Sequence, residues 1–99
     1  MNTRFTARHF NASDDLQKFA IESAEKLTKF YDGIMDCDII LQPNEDPESP
    51  QSAEFNIKVA KDYLKATESA PTYEQAINKV VDTMKRQLLK YKNKKAVRN

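Results

Sequence analysis

The hydrophobic period of this chain switches between that of a strand and that of a helix along its length, and that change restricts the fold more than any other feature. Leu16, Phe19, Ala20, Ser23, Leu27 and Phe30 recur at helical spacing, as do Tyr73, Ile77, Val80, Met84, Leu88 and Tyr91. Between these stripes, Met35, Cys37, Ile39 and Leu41 alternate with Asp36, Asp38, Ile40 and Gln42, and Ala53, Phe55, Ile57 and Val59 alternate with Glu54, Asn56 and Lys58. Period two marks a strand with one buried and one wetter face. Two amphipathic helices must therefore share a core with a sheet whose strands lie largely between them in sequence.

Local signals bound these segments. Ser13 can cap a helix whose first turn holds Asp14 and Asp15, and the pattern predicts that helix from about Asp14 to Tyr31, with Gly33 closing it. The last helix is predicted to begin near Thr72, after Pro71, and to fray within Lys92 to Asn99. Pro43, Pro47 and Pro50 keep the segment 43–50 out of the sheet. Lys61-Asp62 suits a short turn into a strand from Tyr63 to Thr67, and Arg4 to Phe10 reads as a first strand with Phe5 and Ala7 alternating against Thr6 and Arg8. The predicted order is β-α-β-β-β-α, an α+β fold with one four-stranded mixed sheet and two helices packed on one face. A helix crossing between the first two strands implies that they are parallel and the crossover right-handed. The other face, with Asp36, Asp38, Glu54, Asn56 and Lys58, is expected to stay wet.

Ninety-nine residues suit a single core. Residues 1–95 are read as one domain and 96–99 as a short basic tail. No run approaches the roughly 20 apolar residues of a membrane span, and Met1-Asn2-Thr3-Arg4-Phe5 leads into no signal-like segment, so a cytoplasmic protein is expected. Cys37 is the only cysteine, which rules out an intramolecular disulfide, and its phase with Met35 and Ile39 predicts a buried, inert thiol. The single glycine permits no phosphate-binding loop, and no nucleophile, base or metal-ligand spacing assembles. Catalytic residues, a metal and a cofactor are not expected.

Charge is segregated although the formal net charge is only +1. Between Asp32 and Phe55 there is no Lys or Arg, while Asp32, Asp36, Asp38, Glu45, Asp46, Glu48 and Glu54 are acidic. From Lys79 onward, Lys79, Lys85, Arg86, Lys90, Lys92, Lys94, Lys95 and Arg98 face only Asp82. Helical projection brings Lys79, Arg86 and Lys90 within about 40° of one another, opposite the apolar stripe, with Lys85 and Lys92 on a flank. Such a face can track phosphates, which supplies affinity without a base code, or it can simply be solvated. On the first helix, Glu22 and Glu25 precede Lys26 and Lys29 by four residues, the spacing of ordinary stabilising pairs. Tyr73 falls in the helix stripe and is read as core, whereas Tyr63 stays open between surface and base stacking.

The order and the residues together resemble the short ribosome hibernation-promoting factor family, also called ribosome-associated inhibitor A-like or S30EA-type. Thr6-Ala7-Arg8-His9 is similar to its opening strand, and Ser13-Asp14-Asp15-Leu16 with Phe19 to its first helix start. Lys26-Leu27-Thr28-Lys29-Phe30-Tyr31-Asp32 resembles its Lys-Leu segment. Tyr73-Glu74-Gln75-Ala76-Ile77-Asn78 and Arg86-Gln87-Leu88-Leu89-Lys90-Tyr91-Lys92 resemble its Tyr-x-x-Ala-Ile signature and its Arg-Gln-Leu helix end. Family members often have Gly where Ala7 stands and can have Lys where Ser23 stands.

The resemblance implies a tail-less short form that binds small-subunit ribosomal RNA in the messenger and transfer RNA channel. It would inhibit translation by occlusion in stationary or stressed cells. The implied partners are the small ribosomal subunit, its RNA and a separate ribosome-dimerising factor, with a monomer when free. It moves Lys26 and Lys29 onto a candidate RNA-binding set of Arg8, His9, Lys26, Lys29, Lys79, Lys85, Arg86, Lys90, Lys92, Lys94 and Lys95. Two other readings stand beside it: a generic double-stranded RNA-binding domain, and a protein-interaction module that uses the acidic loop.

Overall fold

A computed structural model describes residues 1–97 of the chain, with side chains through Lys94. The elements are β1 (Asn2–Ala7), α1 (Asp14–Glu25), a 3₁₀ segment (Lys26–Lys29), β2 (Asp36–Pro43), β3 (Gln51–Val59), β4 (Asp62–Ala70) and α2 (Tyr73–Val97). The order is the predicted β-α-β-β-β-α, with one mixed sheet of spatial order β1-β2-β3-β4. β1 pairs with β2 in parallel, and the other neighbours are antiparallel. The parallel pair follows from α1, because a helix that crosses the sheet returns the chain to the end where β1 began.

The period-two residues fill one face. Cys37, Ile39 and Leu41 of β2 and Ala53, Phe55, Ile57 and Val59 of β3 are buried against Ala20, Ala24, Leu27, Ala76, Ile77, Val80, Met84 and Leu88 of the helices. α1 packs over β1 and β2, and α2 over β3 and β4. The opposite face carries a polar ladder. Arg4 Nε donates to Asp38 at 2.6 Å, and Asn56 donates to Glu54 at 2.7 Å, with Lys65 4.0 Å from the same carboxylate.

Several boundaries differ from expectation. α1 ends at Glu25 and tightens into the 3₁₀ segment, so the predicted continuous helix to Tyr31 does not form. Gly33 takes no left-handed cap conformation. Its importance is steric, since a β-carbon there would lie 2.7 Å from the Tyr31 ring. β1 stops at Ala7, and His9 adopts a positive φ of 65° that ends the strand and leads into Phe10, which stacks on Tyr73 at 4.5 Å. β4 runs on to Ala70, three residues past Thr67. Its tight turn is Ala60-Lys61, because Val59 pairs with Asp62. Met35, in phase with the core, is 49% exposed because it precedes the sheet. The end of α2 is no such difference: it is helical through Val97, within the Lys92 to Asn99 stretch where it is predicted to fray, and residues 98–99 of the predicted tail lie outside the described residues.

Candidate nucleic-acid interface

The course of α2 arranges the candidate cations. Thr72 Oγ1 accepts the backbone N–H of Gln75 at 3.1 Å and lies 3.2 Å from its side-chain oxygen, a cap at the helix start. From there α2 runs antiparallel to β4. Lys79 Nζ donates to Ser69 O at 2.9 Å, and Gln87 Nε2 donates to Lys65 O at 3.0 Å. Eight helical residues advance about 12 Å, matching four strand residues at about 13 Å. At that pace the Lys90 to Lys94 turn comes level with Tyr63 and the Ala60-Lys61 turn. These two side-chain bonds also occupy carbonyls of an edge strand and so protect that edge from pairing.

The cations divide into two flanks instead of one row. On the β4 side, Lys79 is held by Ser69, and Arg86 lies 3.2 Å from Asp82 and 3.5 Å from Thr83, whose hydroxyl donates to Glu68 at 2.7 Å. Arg86 and Asp82 are 71% and 67% exposed, so the pair is open to exchange for another anion. Arg86, Lys90 and Lys94 surround the exposed Leu89 in a shallow depression. On the α1 side, Lys85 Nζ sits 4.7 Å above the Phe30 ring, and Tyr31 meets Tyr91 edge to face at 5.5 Å. These contacts bring Lys26 and Lys29, both exposed, to the same end of the molecule as Lys85 and Lys92.

The expected pairs Glu22–Lys26 and Glu25–Lys29 are not formed; the ion pairs among the described residues are Arg4–Asp38, Lys65–Glu54 and Arg86–Asp82. For Glu25 and Lys29 the reason is geometric. Four residues in a 3₁₀ segment turn through about 480°, which separates side chains that an α-helix would align. Among the described residues, neither Lys26 nor Lys29 has an ion-pair partner.

Arg8 and His9 lie elsewhere. Arg8 donates its backbone N–H to Leu41 O at 2.8 Å, beside the strand that enters the acidic loop, and Phe10 is stacked on Tyr73 at the opposite end of α2. The eighteen residues from Tyr73 to Tyr91 span about 27 Å of helix. The molecule is thus electrically bipolar. One end holds Arg8 and His9 and, at the far end of β2, the loop with Glu45, Asp46 and Glu48, which is closed by Asn44 donating to Ser49 O at 2.9 Å. The other end holds the cations of the 3₁₀ segment and of the second half of α2. The side chain of Lys95 lies outside the described residues.

Burial in the core, and secondarily Asp38, pushes the Cys37 thiol up to about 12. Burial raises the Tyr73 hydroxyl above its ordinary value, and the hydrogen bond and charge of Asp38 raise the Arg4 guanidinium. Among the described residues, no group of three or more His, Cys, Asp or Glu side chains is placed to hold a metal ion, and no helix is long and apolar enough to cross a membrane.

The helix flanks could be read from sequence only as one broad face. Helical projection does not reveal Asp82, Thr83 and Glu68 as anchors, or Phe30 as the seat of Lys85. Asp82 lies four residues before Arg86, and that spacing was the available signal.

Solved structures share this fold, and two illustrate the likeness. The Thermus thermophilus Protein Y N-terminal domain superposes with a TM-score of 0.78 at 17% identity, covering 92% of this chain and 99% of that one. A ribosomal subunit interface protein from Coxiella burnetii superposes with a TM-score of 0.84 at 18% identity, covering 94% and 99%. No curated protein matches the sequence. The family model described as sigma 54 modulation protein / S30EA ribosomal protein matches residues 3–96, nearly the whole length, and the chain belongs to that family.

Proposed function

We propose that this protein binds ribosomal RNA of the small subunit in the channel that messenger and transfer RNA would occupy, and that occupancy itself inhibits translation in stationary or stressed cells. The observation that carries this reading is the convergence of Lys26, Lys29, Lys85, Arg86, Lys90, Lys92 and Lys94 at one end of the molecule; of these, Arg86 alone is ion-paired among the described residues. Cations on two neighbouring helical elements suit a folded RNA backbone, which presents phosphates in more than one row. The family, and the printed name of the Coxiella burnetii neighbour as a ribosomal subunit interface protein, support the ribosome as the source of that RNA. A cytoplasmic, non-enzymatic protein follows from the same reading. A separate ribosome-dimerising factor would be an additional partner, and the free protein would be a monomer.

Co-sedimentation tests the proposal. The purified protein is expected to pellet with small subunits and to leave isolated duplex RNA in the supernatant. Duplex binding of equal strength would instead make it a generic double-stranded RNA-binding domain. Binding to neither would return the acidic loop to consideration as a protein-docking element.

A further inference from the structure

The sheet face turned away from the helices carries a feature that the basic helices do not explain. Tyr63 opens β4 immediately after the Ala60-Lys61 turn and is 70% exposed, the most exposed large hydrophobic side chain among the described residues. Its cross-strand partner is Lys58, whose ammonium lies 5.8 Å from the ring centroid. Lys61 stands at the turn and Lys65 two residues along the same strand face, both exposed. The nearby acids are partly engaged. Asp62 accepts the backbone N–H of Tyr63 at 2.8 Å, and Glu54 is shared between Asn56 and Lys65. Asp36 lies beyond Lys58 in the same cross-strand row. An aromatic ring on a sheet surface, with lysines around it, offers a base a face to stack on and cations for the phosphates beside it.

Position adds the second argument. Lys90 and Lys94 come level with this hairpin along the β4 edge, so the basic end of α2 and the Tyr63 patch meet around one edge of the sheet. We propose that Tyr63, with Lys58, Lys61 and Lys65, forms a stacking site for an unpaired nucleobase of RNA. The inference rests on the RNA-binding reading above and specifies it: besides backbone phosphates, the protein grips a single-stranded nucleotide that leaves the basic helices and turns onto the sheet.

The protein contains no tryptophan, so Tyr63→Trp places a single indole reporter at the site. Titration with single-stranded oligouridylate should quench that indole, whereas a blunt duplex of equal length should quench it far less. On small subunits, Tyr63→Ala should weaken binding about 5- to 150-fold, the range of one lost base stack, and Tyr63→Phe should bind nearly as the natural protein does. Circular dichroism identical to the natural protein would show that an exposed ring was removed without disturbing the core. Unchanged affinity of Tyr63→Ala for small subunits, or an indole indifferent to oligouridylate, would overturn the stacking site. Failure of the natural protein to bind small subunits at all would overturn the ribosomal reading, and the oligouridylate titration would still decide the stacking site separately.

Discussion

Gly33 shows how one residue can be fixed by its neighbour and not by its own backbone. A β-carbon there would stand 2.7 Å from ring atoms of Tyr31, and Tyr31 cannot simply swing away because its ring meets Tyr91. Gly33→Ala should therefore cost about 1–3 kcal/mol through overpacking, read as a lower urea midpoint at unchanged slope. An unchanged midpoint would mean that the Tyr31–Tyr91 contact is not held. Cys37 makes the complementary case. Its thiol is raised from 9.0 to about 12 mainly by burial, so the folded state holds the proton more tightly than the unfolded chain does. That contribution to stability is complete below about pH 9 and is lost as the pH rises from there toward 12. At pH 8 an aromatic disulfide reagent should leave the native protein unlabelled and titrate one thiol after denaturation; rapid labelling of the native form would contradict the burial.

At the scale of elements, the division of cations between flanks has a consequence for substitution. Arg86 and Lys90 lie on the β4 flank at the basic end, while Arg8 lies beside the acidic loop at the other. Replacing Arg86 and Lys90 together with Glu should leave the helix formed, since the lost Asp82 pair and the new repulsion amount to about 0.5 kcal/mol on an exposed surface. Affinity for small subunits should nevertheless fall on the order of tenfold or more. Arg8→Glu should weaken it much less. Equal losses from both changes in a binding assay would mean that the RNA wraps the whole molecule and not its basic end.

The same elements show what was legible in advance. Strand and helix order followed from period alone, because a half-buried strand and an amphipathic helix cannot share a pattern. Ser13 was readable as a cap because its oxygen needs only the N–H of Leu16, three residues on. Position on the far sides of those elements was harder to read. Projection put Lys79, Arg86 and Lys90 together, yet Lys79 and Arg86 are tethered by Ser69, Asp82 and Thr83, and Ser69 is ten residues from its partner. His9 could be grouped with the lysines by type, but only the parallel pairing of β1 with β2 shows that it belongs to the acidic end. Tyr63 was visible as an aromatic beside lysines, and its exposure depended on which face the register gave it.

For the whole molecule, the proposed occlusion predicts behaviour different from that of a catalytic inhibitor. A binder that neutralises several phosphates releases several counterions, so the logarithm of its affinity should fall linearly with the logarithm of salt, by about 0.7 to 0.9 per contact. With the acidic loop at the far end, the proposed reading also implies a preferred orientation in a polyanionic channel, the basic end entering first. Occlusion by such a body is reversible and stoichiometric. Titrated against a fixed concentration of ribosomes in cell-free translation, the protein should reach full inhibition near one molecule per ribosome. A high-salt wash should restore activity, and prior loading with messenger and initiator transfer RNA should oppose inhibition. Inhibition complete at far fewer molecules than ribosomes, and persistent after the wash, would require turnover and would defeat occlusion as the mechanism. A flat salt response would instead move the contact from the cations of α2 to its exposed Leu89 or to a ribosomal protein.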